Sequence, residues 1–337
     1  MKIAFLGTPP FASASLEALA AAGHEIACVV AQPDRPAGRG RELHEPATKA
    51  WARARGLPVL QPEKVRDGRL AAALAAFAPE ILVVVAYGRI LGRDLLELAP
   101  HGAVNVHASL LPRWRGAAPI QWAVVEGDAW TGVTIMRVDE GLDTGDILLQ
   151  RATPIGPEET AAGLQDRLAR LGGEALCEAL PLLAGGRLAP VRQDHARHTT
   201  ARIIEKEDGR LDFRLPAARL ACRVRGFTPW PGAFTTLDGR LVKVHAAREA
   251  TPTERATATI SRTAGIAVPG TEKSAVREML AAGEAASIPA GILVGCADGS
   301  ALLVTELQLE GKRRLPAGEF AKGVALPPGA RFGGARP

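Results

Sequence analysis

The stretch EILVVVAYG, Glu80–Gly88, decides the fold of this sequence. It is continuously apolar and rich in β-branched residues, which is typical of a parallel strand buried on both faces. Further candidate strands and helices alternate on either side of it. The strands are KIAFLG (2–7), EIACVVAQ (25–32), LPVLQP (57–62), GAVNVH (102–107) and TGVTIMRVD (131–139), and the helices lie at 13–23, 46–56 and 69–77. This alternation predicts an α/β fold built on a doubly wound parallel sheet.

The character of the chain changes after Arg187. Residues 188–203 are polar and predict a linker, and LDG (237–239) and ADG (297–299) are hairpin-turn signals between strand-like runs. We therefore predict a small C-terminal β-barrel. The expected organisation is a first domain at 1–189, a linker at 190–207 and a second domain at 208–330. Residues 250–289 are expected to be an insertion with one short helix, SAVREMLAAG (274–283).

Composition limits the class of protein. The 337 residues are 47% hydrophobic and 23% charged, as expected for a soluble globular protein. No apolar run is long enough to cross a membrane, and the start MKIAFLGTPPF does not resemble a signal peptide. The four cysteines are far apart, so we expect neither a disulfide framework nor a metal site, and a cytoplasmic location.

The net charge of +5 is concentrated in the C-terminal part of the chain. Residues 201–337 contain 20 Lys and Arg against 14 Asp and Glu, whereas residues 1–200 are nearly balanced. This asymmetry suggests a nucleic-acid surface, and solvated surface arginines explain the same count equally well.

The first turn after a strand is GTPPFA, Gly7–Ala12, and it is not a GxGxxG motif. Pro9 and Pro10 remove two backbone N–H donors that would otherwise bind a pyrophosphate. The topology therefore suggests a nucleotide-type fold without dinucleotide binding.

The residues that suggest chemistry begin at the end of a predicted strand, in NVHASLLPRWRGAAPIQWA (105–123). Asn105 and His107 are two residues apart, so both side chains leave the same strand face, where they could stabilise a developing oxyanion. Three acids, Asp139, Asp143 and Asp146, follow the next strand in DEGLDTGDIL, and one of them could orient His107. The alternative is a strand-end histidine satisfied by a backbone carbonyl, with acids that only shape a turn.

The same segments resemble the formyltransferases that use 10-formyltetrahydrofolate, whose hallmark is Asn, His and Asp with a Ser-Leu-Leu-Pro turn. The resemblance implies acyl transfer at Asn105, His107 and Asp143, with no metal. It implies a Rossmann-like first domain and an OB-like C-terminal barrel. It also implies a folate pocket in the turn and in VVAYGRIL, formed by Ser109, Leu110, Leu111, Pro112, Tyr87, Gly88 and Ile90.

Other segments resemble the branch of the family that formylates methionine on initiator methionyl-tRNA. They are AQPDRPAGRGRELHEPATKAWA (31–52), IIEKEDGRLDF (203–213) and WPGAF (230–234), and the match departs from the family at 250–289. The resemblance implies a tRNA substrate. It assigns tRNA binding to Arg35, Arg39 and Arg41, which are expected on a flexible loop, and to Lys206. Two alternatives stay open: a formyltransferase for an amino sugar nucleotide, and a non-catalytic RNA-binding protein.

Overall fold

The computed structural model describes residues 1–37, 42–263, 279–324 and 326–333. The chain divides into two compact units. The first contains Met1–Ile120, Ala129–Gly156 and Gly163–Ile203, and the second contains Gln121–Asp128, Pro157–Ala162 and Ile204–Pro337.

The first unit contains most of the parallel strands and their helices. Its strands are β1 (Lys2–Gly7), β2 (Glu25–Val30), β3 (Arg35–Ala37), β4 (Glu42–His44), β5 (Val59–Leu60), β6 (Ile81–Val85), β7 (Ala103–His107), β8 (Arg115–Gly116), β9 (Trp130–Arg137), β10 (Ile147–Pro154) and β11 (Thr200–Ala201). The helices along the same stretch of chain are α1 (Pro10–Ala21), α2 (Ala47–Arg53), α3 (Arg69–Ala75), α4 (Arg93–Leu96), α5 (Pro119–Val125) and α6 (Ala161–Ala184).

A seven-stranded sheet organises the first unit, in the order β10-β9-β7-β6-β1-β2-β5. The central strand is β6, which pairs in parallel with β1 on one side and with β7 on the other. All five of its residues are buried, which confirms the prediction made from EILVVVAYG. Helix α1 begins at Pro10, where the missing N–H costs nothing, and the chain leaves it through Gly23 at φ +78°.

The predicted doubly wound sheet is present, but it is mixed, because its pairings of β7 with β9 and of β9 with β10 are antiparallel. Strand β9 runs antiparallel to both β7 and β10. The chain between β9 and β10 covers residues 138–146 and contains no helix. Because a parallel neighbour requires a long crossover connection, this short connection gives an antiparallel pair.

From Ile204 onward, the described residues of the second unit contain an antiparallel sheet and three α-helices. Its strands are β12 (Ala233–Leu237), β13 (Arg240–Glu249), β14 (Ala285–Ile288), β15 (Gly291–Gly295), β16 (Ala301–Leu309) and β17 (Leu315–Pro316). Its helices are α7 (Ala217–Gly226), α8 (Pro252–Thr263) and α9 (Ala317–Gly323).

The strands of the second unit follow the path β12-β13-β16-β15-β14, and β17 also pairs with β16. Both predicted hairpin turns are confirmed. At the first, Asp238 and Gly239 have φ of +49° and +73°, as a two-residue turn with two left-handed positions requires. The strand path is open among the described residues, so it is a sheet and not an established closed barrel.

The stretch 250–289 differs from its prediction. A helix, α8, lies at its beginning, and β14 near its end belongs to the sheet. Of the predicted helix 274–283, residues 274–278 lie outside the described part, and Met279–Gly283 form no helix. Across the part of the chain that the structure describes, every helix is too short or too polar to span a bilayer.

Candidate active site

The candidate site is at the carboxyl end of β7, the position where α/β sheets bind ligands. Asn105 and His107 both lie on β7, two residues apart. Asn105 is half-buried, and His107 is only 5% exposed. The strand therefore holds both side chains in fixed positions beside β6 and β9.

Both ring nitrogens of His107 face a defined partner. Nε2 is 2.8 Å from the carbonyl oxygen of Trp114. Because a carbonyl can only accept, Nε2 carries the hydrogen in this arrangement, and Nδ1 of the neutral ring has a free lone pair. Nδ1 is 3.6 Å from Oδ2 of Asp143, which is longer than a hydrogen bond but within reach of a small adjustment. Protonation at Nδ1 would place the new N–H beside a carboxylate.

Asp143 is the one of the three candidate acids that approaches His107. Its Oδ2 also accepts a hydrogen bond of 2.9 Å from the Gly116 backbone N–H. The carboxylate of Asp139 instead accepts bonds from the Thr144 hydroxyl and the Gly141 N–H, so it shapes the loop. Within the described part of the chain, no hydrogen bond or ion pair joins the Asp146 side chain to His107.

Two non-glycine residues of the site have a left-handed backbone. Asp143 has φ +53° and Trp114 has φ +63°. Such conformations cost on the order of 1–3 kcal/mol each and persist where the surrounding structure enforces them. Both residues supply atoms that contact His107, so the strain is located at the groups that hold this histidine.

Hydrogen bonds to Arg113 and to Thr134 on β9 hold the predicted Ser109–Pro112 turn in place. The buried Ser109 hydroxyl donates to the Arg113 carbonyl at 2.6 Å. Thr134 Oγ1 on β9 donates to the Ser109 carbonyl at 2.6 Å and accepts from the Leu111 N–H at 3.2 Å. Leu111 is also buried, whereas Leu110 and Pro112 are half-buried. The turn therefore presents a rigid backbone, with Leu110 and Pro112 as its more accessible side chains.

The segment after β6 contains the other predicted folate residues. Tyr87 is only 2% exposed, and burial raises the pKa of its hydroxyl. Among the described residues that hydroxyl has no hydrogen-bond partner. Gly88 has φ +74° and is exposed, as is Ile90. Tyr87 is thus a buried residue of this segment, whereas Gly88 and Ile90 are on its surface.

Of the predicted tRNA-binding residues, the structure describes Arg35, in the first unit, and Lys206, in the second. Arg35 is exposed on β3, which pairs with β4 in a short hairpin, and its Nη2 donates to Gln32 at 3.2 Å. Arg39 and Arg41 lie outside the described residues. Lys206 is exposed in the second unit, at the start of a 3-10 turn. The strands β3 and β4 therefore flank the loop that was predicted to be flexible.

Sequence reasoning missed the residues that hold the two loops of the candidate site. Arg115 and Gln193 are buried and bonded to each other, and Thr199 Oγ1 accepts a bond of 2.8 Å from the Trp114 N–H. Gln193 and Thr199 lie in the predicted linker, whose polarity gave no sign of burial. Arg115 carried a weak signal, since it stands within the motif that begins at Asn105.

Comparison with known proteins identifies the family. The sequence profile of the formyl transferase family matches residues 1–180, and that of its C-terminal domain matches residues 203–325. A methionyl-tRNA formyltransferase of Anaeromyxobacter dehalogenans is 63% identical over 325 residues, which cover 96% of this chain and 97% of the relative. The chain belongs to the methionyl-tRNA formyltransferase family. The homologue of Myxococcus xanthus is 49% identical and covers 98% of this chain and 97% of its own length.

Solved structures with lower identity share the fold. An N-formyltransferase from Helicobacter canadensis, solved with folinic acid and dTDP-3-aminofucose, has a TM-score of 0.62 at 14% identity, covering 90% of this chain and 98% of that one. HypX from Aquifex aeolicus, solved with tetrahydrofolic acid, has a TM-score of 0.55 at 20% identity. That match covers 96% of this chain but only 48% of HypX. As a member of the methionyl-tRNA formyltransferase family, this chain is a formyl-transferring enzyme whose family uses 10-formyltetrahydrofolate.

Proposed function

We propose that Asn105, His107 and Asp143 catalyse formyl transfer from 10-formyltetrahydrofolate to the α-amino group of methionine on initiator methionyl-tRNA. The chain thereby prepares the initiator tRNA for translation, in the cytoplasm. The observation that carries the catalytic assignment is the position of His107, with Nε2 on the Trp114 carbonyl and Nδ1 3.6 Å from Asp143. The relatives of high identity carry the assignment of the acceptor.

In this mechanism His107 accepts and releases the proton, and Asp143 stabilises the protonated form of His107. The free lone pair of Nδ1 accepts the proton of the attacking amine, directly or through a water. The imidazolium that results is stabilised by the Asp143 carboxylate, which the Gly116 N–H fixes in place. The same proton is then available to the folate nitrogen that leaves. Asp143 keeps its charge throughout and acts as the orienting group.

Asn105 acts on the formyl oxygen. Its amide donates a hydrogen bond to this oxygen as it becomes negative, and the positive His107 ring lies on the same strand face. A donor that is fixed on a buried strand needs no rearrangement during the reaction. This preorganisation is the main source of such stabilisation.

The folate pocket consists, in our proposal, of Ser109–Pro112 together with Tyr87, Gly88 and Ile90. The bound folate supplies the formyl group. The buried Tyr87 hydroxyl, unpaired within the described residues, is available for a polar group of the ligand or for a bound water. Leu110 and Pro112 offer apolar surface above a backbone that Thr134 and Gln150 hold rigid. These features fit a partly apolar ring system with a polar edge.

The acceptor tRNA is bound by Arg35, Arg39, Arg41 and Lys206 in this proposal. Arginine presents five donors in a fork that suits phosphate oxygens. Lys206 lies in the part of the chain, residues 201–337, that carries the basic excess. Contacts of this type release counterions, so use of tRNA should fall steeply with salt.

We further propose that residues 1–189 are the catalytic domain, with a linker at 190–207, and that residues 208–330 form a tRNA-binding domain with an OB-like barrel. Support for closure comes from the segment Ala330–Gly333. Phe332 makes a bridge with Leu237 of β12, and Arg331 makes a bridge with Glu284 beside β14. A short segment thus contacts both edges of the open strand path.

One experiment separates this function from its rivals. The purified protein is incubated with 10-formyltetrahydrofolate and one acceptor. In parallel reactions, the acceptor is initiator methionyl-tRNA, elongator methionyl-tRNA or dTDP-3-aminofucose. We expect rapid formylation of the initiator tRNA alone. Formylation of the sugar nucleotide alone would support the sugar-nucleotide alternative, and tRNA binding without any product would support the non-catalytic one.

A further inference from the structure

The segment Val191–Ala201 connects the two loops of the active site. It lies between the regions that match the two family profiles, at 1–180 and 203–325. Val191 and Ile147 exchange two backbone hydrogen bonds of 2.8 Å, and β11 pairs in parallel with β8. The loop before β10 contains Asp143, and the loop around β8 contains the partners of His107 and Asp143. The segment therefore fastens both loops to one another.

Gln193 is the centre of this connection. Its side chain is buried, with 3% exposure, and all four hydrogen-bonding positions of the amide are used. Nε2 donates to the Asp143 carbonyl at 3.0 Å and to the Gly145 carbonyl at 2.7 Å. Oε1 accepts from Nε of Arg115 at 3.0 Å and from Nη2 at 2.7 Å.

Arg115 holds Gln193 from the other side. The Arg115 guanidinium is buried, and its Nη1 is 3.1 Å from Nδ1 of His195 in the same segment. Because all donors and acceptors of the Gln193 amide are fixed, the amide cannot rotate without leaving buried polar groups unpaired. The backbone of Asp143 is thus tied at its carbonyl while it is in the left-handed region.

We propose that Gln193 is a positioning residue for formyl transfer, which fixes the carboxylate of Asp143 beside His107, and that Arg115 supports it. This inference rests on the proposed function, because Gln193 acts only through Asp143. The backbone position of Asp143 determines where Oδ2 lies, and Gln193 is the side chain that binds this backbone. A residue of the segment Val191–Ala201 thereby sets the geometry of the reaction centre.

The sharpest test is Gln193→Glu. Glutamate has the same shape and keeps the oxygen that Arg115 binds, but it loses both N–H donors to the Asp143 and Gly145 carbonyls. A displacement of about 1 Å at a reaction centre can cost on the order of 100-fold in rate. We therefore expect the single-turnover rate to fall about 10- to 100-fold, while the KM for tRNA and the affinity for 5-formyltetrahydrofolate change less than about threefold.

Controls separate positioning from a general structural role. Arg192→Ala alters an exposed neighbour in the same segment and should leave all parameters unchanged. Gln193→Asn, which keeps the amide but shortens the side chain, is the second variant if the glutamate protein does not fold. Its rate should also fall with KM preserved. A wild-type rate in a folded variant, or a loss seen only in KM, would overturn the proposal.

A double-mutant cycle distinguishes this inference from the function on which it rests. If Gln193 acts through Asp143, the combined variant Asp143→Asn with Gln193→Glu should be no slower than Asp143→Asn alone. A further multiplicative loss would show that Gln193 acts independently and would refute the positioning role. If Asp143→Asn itself kept the wild-type rate, the catalytic assignment of Asp143 would fail first, and the inference with it.

Discussion

The substitution Asp143→Asn removes one charge from the site and nearly nothing else. The Asn oxygen can still accept from the Gly116 N–H, and the backbone bond to Gln193 is unchanged. Asn also tolerates the left-handed backbone that this position requires. The variant should therefore fold normally, and any loss of rate reports on the missing carboxylate.

The magnitude follows from the distance to His107. At 3.6 Å and an effective dielectric constant of about 20, an imidazolium and a carboxylate attract each other by about 4.6 kcal/mol. This value is a gross attraction, because both groups lose part of their hydration. A net loss of about 3–4 kcal/mol in the transition state corresponds to a rate reduction of roughly 100- to 1000-fold. The reduction should persist at every pH, since the charge itself is absent.

The appropriate assay is single-turnover formylation by rapid chemical quench, with enzyme in excess over charged initiator tRNA. Asp139→Asn is the matched control from the same loop, because the Asp139 carboxylate contacts Thr144 and Gly141 and not His107. We expect this control to lose less than about tenfold. If Asp143→Asn stayed within threefold of the wild type, or if Asp139→Asn were the more damaging change, the assignment of Asp143 would be refuted.

Further predictions test other parts of the molecule. Asn105→Ala should slow single turnover about 100- to 1000-fold with folate affinity retained, and a near-normal rate would contradict its oxyanion role. Arg35→Ala should weaken tRNA binding and reduce the slope of log affinity against log salt by about one, whereas an unchanged slope would exclude a phosphate contact. The hydrogen bond from Arg248 lowers the pKa of Glu254 from 4.5 to about 2. The stabilisation of α8 by the Glu254 carboxylate should therefore be complete above pH 4.5 and lost as the pH falls through about 2. Carbon NMR of the Glu254 carboxyl would disprove this if the midpoint were near 4.5. Burial raises the pKa of Cys28 to about 12, so iodoacetamide should modify this thiol only after unfolding, as mass spectrometry of the native protein would show.

Much of the first unit could be predicted because its signals are local. The apolar run at 81–85 and the glycine that follows α1 are properties of single segments, and the structure agrees with both. The orientation of β9 and β10 could not be predicted from their own residues, since parallel and antiparallel strands have similar compositions. The antiparallel pairing of β10 with β9 follows from the short connection between them, whose length sequence periodicity does not measure.

In the candidate site, too, some residues could be predicted from local sequence and others could not. Asn105 and His107 were predictable because period-2 spacing on one strand fixes their common face. The choice of Asp143 over Asp139 and Asp146 depends on the loop conformation, in which Asp139 is consumed by bonds to its own loop. Gln193 was not predictable at all, because a polar stretch gives no sign that one of its residues is buried.

Strain and function are located together in this site for a physical reason. Asp143 and Trp114 have left-handed backbones that a glycine would adopt without cost. Glycine at 143 would lack the carboxylate that contacts His107. At 114 only the backbone carbonyl is used, but the indole is buried beneath the guanidinium of Arg113 and contributes packing that glycine cannot. The chain therefore keeps side chains where the backbone would favour glycine, and the bonds from Gln193 to Asp143 and from Trp114 to Thr199 hold the strained conformations. Both bonds come from one polar segment, Val191–Ala201, which therefore belongs to the proposed active site.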